Sequence, residues 1–590
     1  MMRLEWMGVA LFSAASLASP AALAQEVGPG VTEAVPTPSN DPPVDTLPND
    51  EEIESLSFIK GELAYVGTRE LLSRFDHVGV QIGPSIIAGD FFASVDPGAA
   101  FYGDGWAASL HLPLNLLLVE NGSLDYGGLR VREQDWDEPA DFTRVIRFFT
   151  IGRKEEPLYF TVNSLRPTTI GQGTLIDKYQ GNIDVDRHVT GVELDAYNNW
   201  GGFQFQLNDI TLQNQVVGGV AFIKPLGFFS DGWFATGLSL GVEYAADFRA
   251  PRCVLLNEDS TECVQANGHS AGVDPFTGAL LDNTFVRSDR ETGRYAVDET
   301  TVQAVGFSGE MKVYRDASHV DVKLYGTYHA FVNEGGGGGA TTGVLARLNS
   351  GDRWRNAFRL KGEYRTFGNG FLPSYFDTTY EISKFQSFYQ PSSYQVTPTR
   401  FQRVFGDLEN GFEREELDRR HGFNVEFSYG LFKNKRRNKQ LAIAVGLADS
   451  TGPADSSFYA HVEFPALEFL QVFGSFIRTN EESISDLFGS GMFESENGIV
   501  LSGLRLQVLP FFFINAHFSR TFAVTRSPGQ EFRLGDDSIV DVAGSPSPVF
   551  QQDQLFENVS SFFVKAEFGW EFDESNEQEV RAGSGVDDEF

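Results

Sequence analysis

Segments of about ten residues in which apolar and polar side chains alternate recur from Gly61 to Phe572, each closed by a turn or loop. A period of two puts successive side chains on opposite faces of a strand, so each segment has one apolar and one polar face. The faces are very unequal. Leu238, Leu240, Val242, Tyr244 and Phe248 alternate with Ser239, Gly241, Glu243 and Asp247, and Phe358, Leu360, Gly362 and Tyr364 with Arg359, Lys361, Glu363 and Arg365. Phe423, Val425, Phe427, Tyr429 and Leu431 alternate with Asn424, Glu426, Ser428 and Gly430, and Leu110 to Leu118 with Ser109, His111, Pro113 and Asn115. A chain built this way is all-β and needs an apolar surrounding for one face of nearly every strand.

A soluble sandwich shows the same alternation, so the spacing between segments has to decide. Tight turns follow the even-numbered candidate strands, at Arg153–Glu156, Asn198–Gly201, Asp316–Ser318, Pro465–Glu468 and around Pro510. Long excursions follow the odd-numbered ones, over 120–141, 166–189, 249–300, 368–421, 480–499 and 523–559. Outer-membrane barrels segregate short and long connections to opposite ends in this way, and a sandwich has no reason to. No apolar run reaches the roughly 18 residues of a helical span, so a membrane is crossed by strands or not at all. Hydrocarbon offers backbone groups no water, so the sheet must close on itself without an edge. The expectation is a transmembrane antiparallel β-barrel of about 20 strands (18–20) over residues 57–572, with short periplasmic turns and long extracellular loops.

The flanks agree with that location. Arg3, an apolar stretch from Met7 to Leu17, and Ala22-Leu23-Ala24 form a secretory signal peptide over 1–24, expected to be cut after Ala24. Residues 25–56 are rich in Pro, Asp and Glu and make an acidic periplasmic tether, too short to fold as the plug of an energy-coupled receptor. An acidic tail follows over 573–590. The formal charge of −35 over 590 residues argues against nucleic acid as a partner, since phosphate binding needs clustered Lys and Arg.

The last alternating segment carries Phe562, Val564, Ala566, Phe568, Trp570 and Phe572 on one face, with Phe563, Lys565, Glu567, Gly569 and Glu571 between them. It resembles the closing strand of Gram-negative outer-membrane β-barrel proteins of the porin-like kind. That resemblance implies that Phe568, Trp570 and Phe572 form the signal read by the barrel-assembly machinery, and that outer-membrane lipid and lipopolysaccharide surround the barrel. In those families the terminal Phe usually ends the chain, whereas here the 573–590 tail follows it.

A barrel of about twenty strands leaves an interior wider than wall side chains can fill. Charges expected to face it include Glu243, Asp247, Asp321, Lys323, Arg359, Lys361, Glu363 and Arg365, as selectivity candidates or as ion pairs stitching the wall. The 368–421 excursion holds Tyr375, Phe376, Tyr380, Phe385, Phe388 and Tyr389, too aromatic for a solvated loop. A constriction folded into the lumen or over its mouth explains them; a stacking surface for ring-bearing ligands is the alternative. Cys253 and Cys263 sit close together in an oxidising compartment and are expected to pair.

The nine His are scattered, and neither a Gly-x-Ser-x-Gly elbow nor a His-Glu-x-x-His helix occurs, so neither enzyme nor metal chemistry nor a cofactor is expected. The first functional expectation is a porin-like channel for small polar solutes, possible also as a homo-oligomer. The others are an occluded structural or surface-binding barrel contacting envelope components, and a lumen-facing hydrolase.

Overall fold

The computed structural model describes residues 77–571 except 104–105, 121–122, 125–129, 153–156, 164–166, 231, 256–261, 267–285, 288–294, 317–319, 351–353, 389–395, 415–418, 434–437, 454, 468, 482, 489–497, 525–530, 535–538, 541–548 and 553–554. The leader 1–24, the tether 25–56, residues 57–76, Tyr389, Phe572 and the tail 573–590 lie outside the described residues.

The alternating segments form strands in chain order, each hydrogen-bonded to its neighbours. They are β1 His77–Ile87, β2 Asp90–Gly103, β3 in two pieces (Trp106–His111 and Leu114–Glu120), β4 Ile146–Ile151, β5 Leu158–Asn163, β6 Gly191–Asn198 and β7 Gly201–Leu207. Then come β8 Val216–Ile223, β9 Leu238–Val254, β10 Val297–Asp316, β11 Val320–Phe331, β12 Gly338–Ser350, β13 Trp354–Phe367 and β14 Arg420–Lys433. The last are β15 Asn438–Ser450, β16 Ser456–Leu467, β17 Leu470–Glu481, β18 Gly498–Leu509, β19 Phe512–Val524 and β20 Phe556–Glu571. β20 pairs antiparallel with β1, from His77↔Glu571 to Ile86↔Phe562, and so closes a 20-strand antiparallel barrel without an edge.

The two faces separate as the period of two requires. Val78, Ile82, Leu240, Val242, Phe307, Leu360, Tyr364, Phe568 and Trp570 point outward and are exposed, while Ser85, Ser94, Glu243, Arg359, Lys361 and Glu567 point inward and are buried. An exposed band this apolar is a liability in water and a solvation shell in lipid. Trp200, Trp233, Phe464, Phe511 and Trp570 lie exposed at or near strand ends, where amphipathic rings form interfacial girdles. No helix among the described residues is long and apolar enough to cross a membrane, so the strands carry the crossing.

Three local features depart from the expected pattern. The Leu110–Leu118 alternation is not one continuous strand, because Pro113 lacks a ladder donor and β3 breaks at Leu112–Pro113. At the end that carries the long connections, β1 turns into β2 through only Ala88 and Gly89, both at positive φ (49° and 91°), the conformation of a tight hairpin. At the opposite end, β8 reaches β9 through residues 224–237, which contain the short helix α1, Trp233–Gly237. Among the other connections, residues 199–200 and 510–511 at one end contrast with 164–190, 255–296 and 368–419 at the other, while 332–337 and 451–455 at the latter end are short as well.

Candidate functional site: a lumen crossed by two loops

The connection 368–419 folds inward. It carries α2, Tyr380–Ser383, and α3, Arg400–Phe405. A capping box starts α3: the Thr399 hydroxyl accepts from the Gln402 N–H at 3.1 Å, and the Gln402 side chain accepts from the Thr399 N–H at 3.0 Å. Gly406, at φ 82°, ends it. The rings of this connection pack on one another and on the wall. Phe331 of β11 lies 5.4 Å from Phe371, 5.0 Å from Tyr375 and 5.1 Å from Phe405, and Phe376 lies 4.9 Å from Tyr380. Tyr375, Phe376 and Tyr380 are fully buried, while Phe385 and Phe388 pack partly buried against Phe556 and Phe522. Arg400 sits over the Tyr375 and Tyr380 rings and donates to Asp377 at 2.8 Å and Ser383 at 2.5 Å.

A second connection, 164–190, expected only as a long excursion over 166–189, enters the same space. Gly171 and Gly173, at φ 56° and 80°, bend its tip. From that tip the Gln172 side chain donates to Glu310 of β10 at 3.3 Å, and Lys361 of β13 donates to the Gln172 carbonyl at 2.8 Å. Lys178 donates to Glu426 of β14 at 2.8 Å and lies 4.2 Å from the Tyr459 ring of β16. Farther along, Ile183 and Val185 exchange backbone bonds with Phe522 of β19. One short segment thus ties together strands from several parts of the wall. A clue lay in the sequence: Pro167 to Ile176 has no charged residue, odd for a loop meant to stay in water.

Glu381 joins the two loops. Its carboxylate accepts from Tyr179 at 2.5 Å and from Asn214 at 2.6 Å, and pairs with Lys384 at 2.8 Å and Arg187 at 3.8 Å. Burial alone would push this carboxyl up, but Lys384 and Arg187 outweigh it and hold the group below the usual glutamate range. Burial likewise lowers the Lys178 amine, and Asp177 and Glu426 more than reverse it. The Tyr380 phenol, raised by burial and by Asp247, stays protonated and donates to Asp247 at 2.8 Å.

The wall charges picked out by alternation all lie on the inner face, and most are paired. Glu363 accepts from Tyr325 at 2.7 Å and Asn424 at 2.9 Å, and bridges Lys361 at 2.7 Å and Arg365 at 2.6 Å. Arg359 reaches Glu426 at 3.3 Å, and Glu243 meets His329 at 2.9 Å. Asp247 is taken by Tyr380 and lies 4.0 Å from Lys384. Lys323 lies 3.7 Å from Glu310, and Asp321 stands opposite Arg347 in register. Lys361 is fully buried, so loop atoms, not water, cover this stretch of wall.

Between the 368–419 loop and β14–β17 remains a cavity of about 100 Å³. It is lined by Arg365, Asp377, Arg400, Asp449, Asp455 and Asn480 together with the rings of Phe423, Phe458 and Tyr459. Cys253, at the end of β9, is disulfide-bonded to Cys263, with Cα atoms 5.7 Å apart. The acidic loop expected over 249–300 is thus partly strand: Asp298 and Glu299 begin β10 and are engaged by Arg252 and Arg249 of β9 across the ladder.

A closed barrel with an apolar outer band and a charged inner wall has the architecture of a transmembrane β-barrel. No protein-family model and no curated relative matches the sequence. Solved structures similar to it include Wzi of Escherichia coli, a carbohydrate-binding β-barrel involved in group 1 capsule assembly (11% identity, 85% of each chain, TM-score 0.26). Others are a loop-deletion mutant of OmpT of Vibrio cholerae (7%, 84% of this chain and 98% of that one, TM-score 0.23) and opdK of Pseudomonas aeruginosa (9%, 84% and 97%, TM-score 0.27). All three are outer membrane proteins. At these scores the function has to be argued from this chain's own residues.

Proposed function

We propose that the protein is a porin-like, solute-selective channel of the constricted kind, in which the 164–190 and 368–419 loops narrow the lumen. The observation that carries this reading is the bonding between loops and wall. Polar groups of both loops meet inward charges on β9, β10, β13 and β14, at Asp247, Glu310, Lys361 and Glu426. Such a lumen selects by size and by hydrogen bonding at the constriction, since a bare pore of this strand number passes solutes with little discrimination. The cavity beside β14–β17, with acids, arginines and ring faces together, suits a small polyhydroxylated solute.

The test is flux through protein-containing liposomes. Small neutral sugars should enter at a slow, saturable rate, and Arg400→Ala should raise both the rate and the size of solute admitted.

A second reading, an occluded surface-binding barrel, is favoured by the burial of Lys361, Glu363 and Glu426, which leaves no water along that stretch of wall. Flux that stays at the level of empty liposomes in both proteins would support it.

A further inference from the structure

The inner face at the opposite end from the long loops carries a group of lysines, Lys224, Lys312 and Lys323, two of whose ammonium groups, those of Lys224 and Lys323, have no hydrogen-bond partner among the described residues. Val216, Gly218, Val220 and Phe222 form the inward row of β8, and Lys224 continues it one residue past the strand. Its backbone is fixed by donation to the Trp200 carbonyl at 2.7 Å, so the side chain is committed to the lumen. It is 0% exposed, and its ammonium has no hydrogen-bond partner among the described residues; the nearest ring, Phe222, is 6.0 Å away.

Register puts like charges together here. Lys312 of β10 stands directly opposite Lys323 of β11, an arrangement that is unfavourable on its own. The Lys323 ammonium also lacks a hydrogen-bond acceptor, and Glu310 is 3.7 Å from it. Lys224 lies within electrostatic reach of Lys323, Lys312 and Glu310. Two buried hydroxyls on the same inner face, Ser239 opposite Glu310 and Ser308, have no hydrogen-bond partner among the described residues either. In a chain of formal charge −35, buried ammonium groups left without acceptors are conspicuous. Buried charge is tolerated when a counter-charge and hydrogen bonds accompany it.

We propose that this end of the lumen is a binding site for a small oxyanion, of the phosphate or carboxylate class. Lys224 and Lys323 donate to it, the Ser239 hydroxyl adds a neutral donor, and Lys312 contributes charge. Charge-assisted hydrogen bonds of this type are the strong ones, and three lysines, with Arg347 also in reach, against the carboxylates of Glu310 and Asp321 leave an excess of positive charge for one anion. The site borders the constriction at Glu310, which the 164–190 loop also contacts, but the proposal needs no flux through the barrel.

Calorimetric titration of the folded full-length barrel in detergent tests it, with inorganic phosphate and succinate as separate probes at neutral pH. At least one should bind, and whichever does identifies the class. Lys224→Met and Lys323→Met should each weaken that binding by about tenfold or more, whereas Lys224→Arg should retain most of it. Heat-modifiable gel mobility reports whether each variant barrel is folded. Absence of binding by the unmodified protein would overturn the proposal, as would affinity unchanged in a folded Lys224→Met barrel.

Discussion

Glu363 shows what a charge costs and what it gains inside a barrel. Enclosed by Lys361, Arg365, Tyr325 and Asn424, it has every lone-pair direction occupied, and removing it leaves two cations facing one another in a dry wall. Breaking a buried pair by deleting one partner typically costs about 3–5 kcal/mol, more than such a pair adds relative to an apolar substitute. Glu363→Ala should therefore lower unfolding stability in urea by about that amount, while Glu363→Gln, which keeps the shape and one of the two acceptor oxygens, should lower it less. A loss within about 0.5 kcal/mol for Glu363→Ala would show that water reaches this wall. That Glu363 faces inward was legible from alternation, because a one-residue step changes face. Its partners on other strands, Tyr325 and Asn424, were not, since register between strands does not follow from either strand alone.

Among the elements, the two inward loops differ in how far the sequence announced them. Tyr375, Phe376 and Tyr380 announced the 368–419 loop, because exposed rings in such number would be unstable in water. The 164–190 loop was missed: its anchors, Gln172, Lys178 and Tyr179, are polar and look like ordinary surface residues until the wall meets them. Pro113 was read as a polar-face residue although it interrupts β3.

The two loops share Glu381, and its titration gives them a pH dependence. The folded-state carboxyl lies below its ordinary value, so its contribution is present above the ordinary glutamate range and is lost as pH falls through the depressed value. Acidification to below about pH 4 should thus loosen the loops before the barrel itself unfolds. Pepsin cleavage within 167–190 and 368–388 should increase at acid pH, and Glu381→Gln should show the same cleavage at higher pH. Equal protection in Glu381→Gln and the unmodified protein would remove Glu381 from this role.

At the scale of the whole molecule, closure of β20 on β1 is what makes the chain a membrane protein, and it was the part most legible in the sequence. The Phe562–Trp570 alternation holds because lipid lies on one side and the lumen on the other; Trp570 is 69% exposed and Glu567 is buried. The same logic sets the cost of a charge outside. Phe307, midway along β10 and 64% exposed, faces the surrounding hydrocarbon, so Phe307→Arg should destabilise the barrel in lipid vesicles by about 2–4 kcal/mol. Were the outer band facing water instead, that substitution would be neutral or stabilising.

The constricted-channel reading stands or falls on ion conductance in planar bilayers, comparing the full chain with a variant lacking residues 375–405. The full chain should give steps far smaller than an open barrel of this strand number, and the deletion should enlarge them several-fold. Silence from both proteins, or full-sized steps from the intact chain, would contradict it.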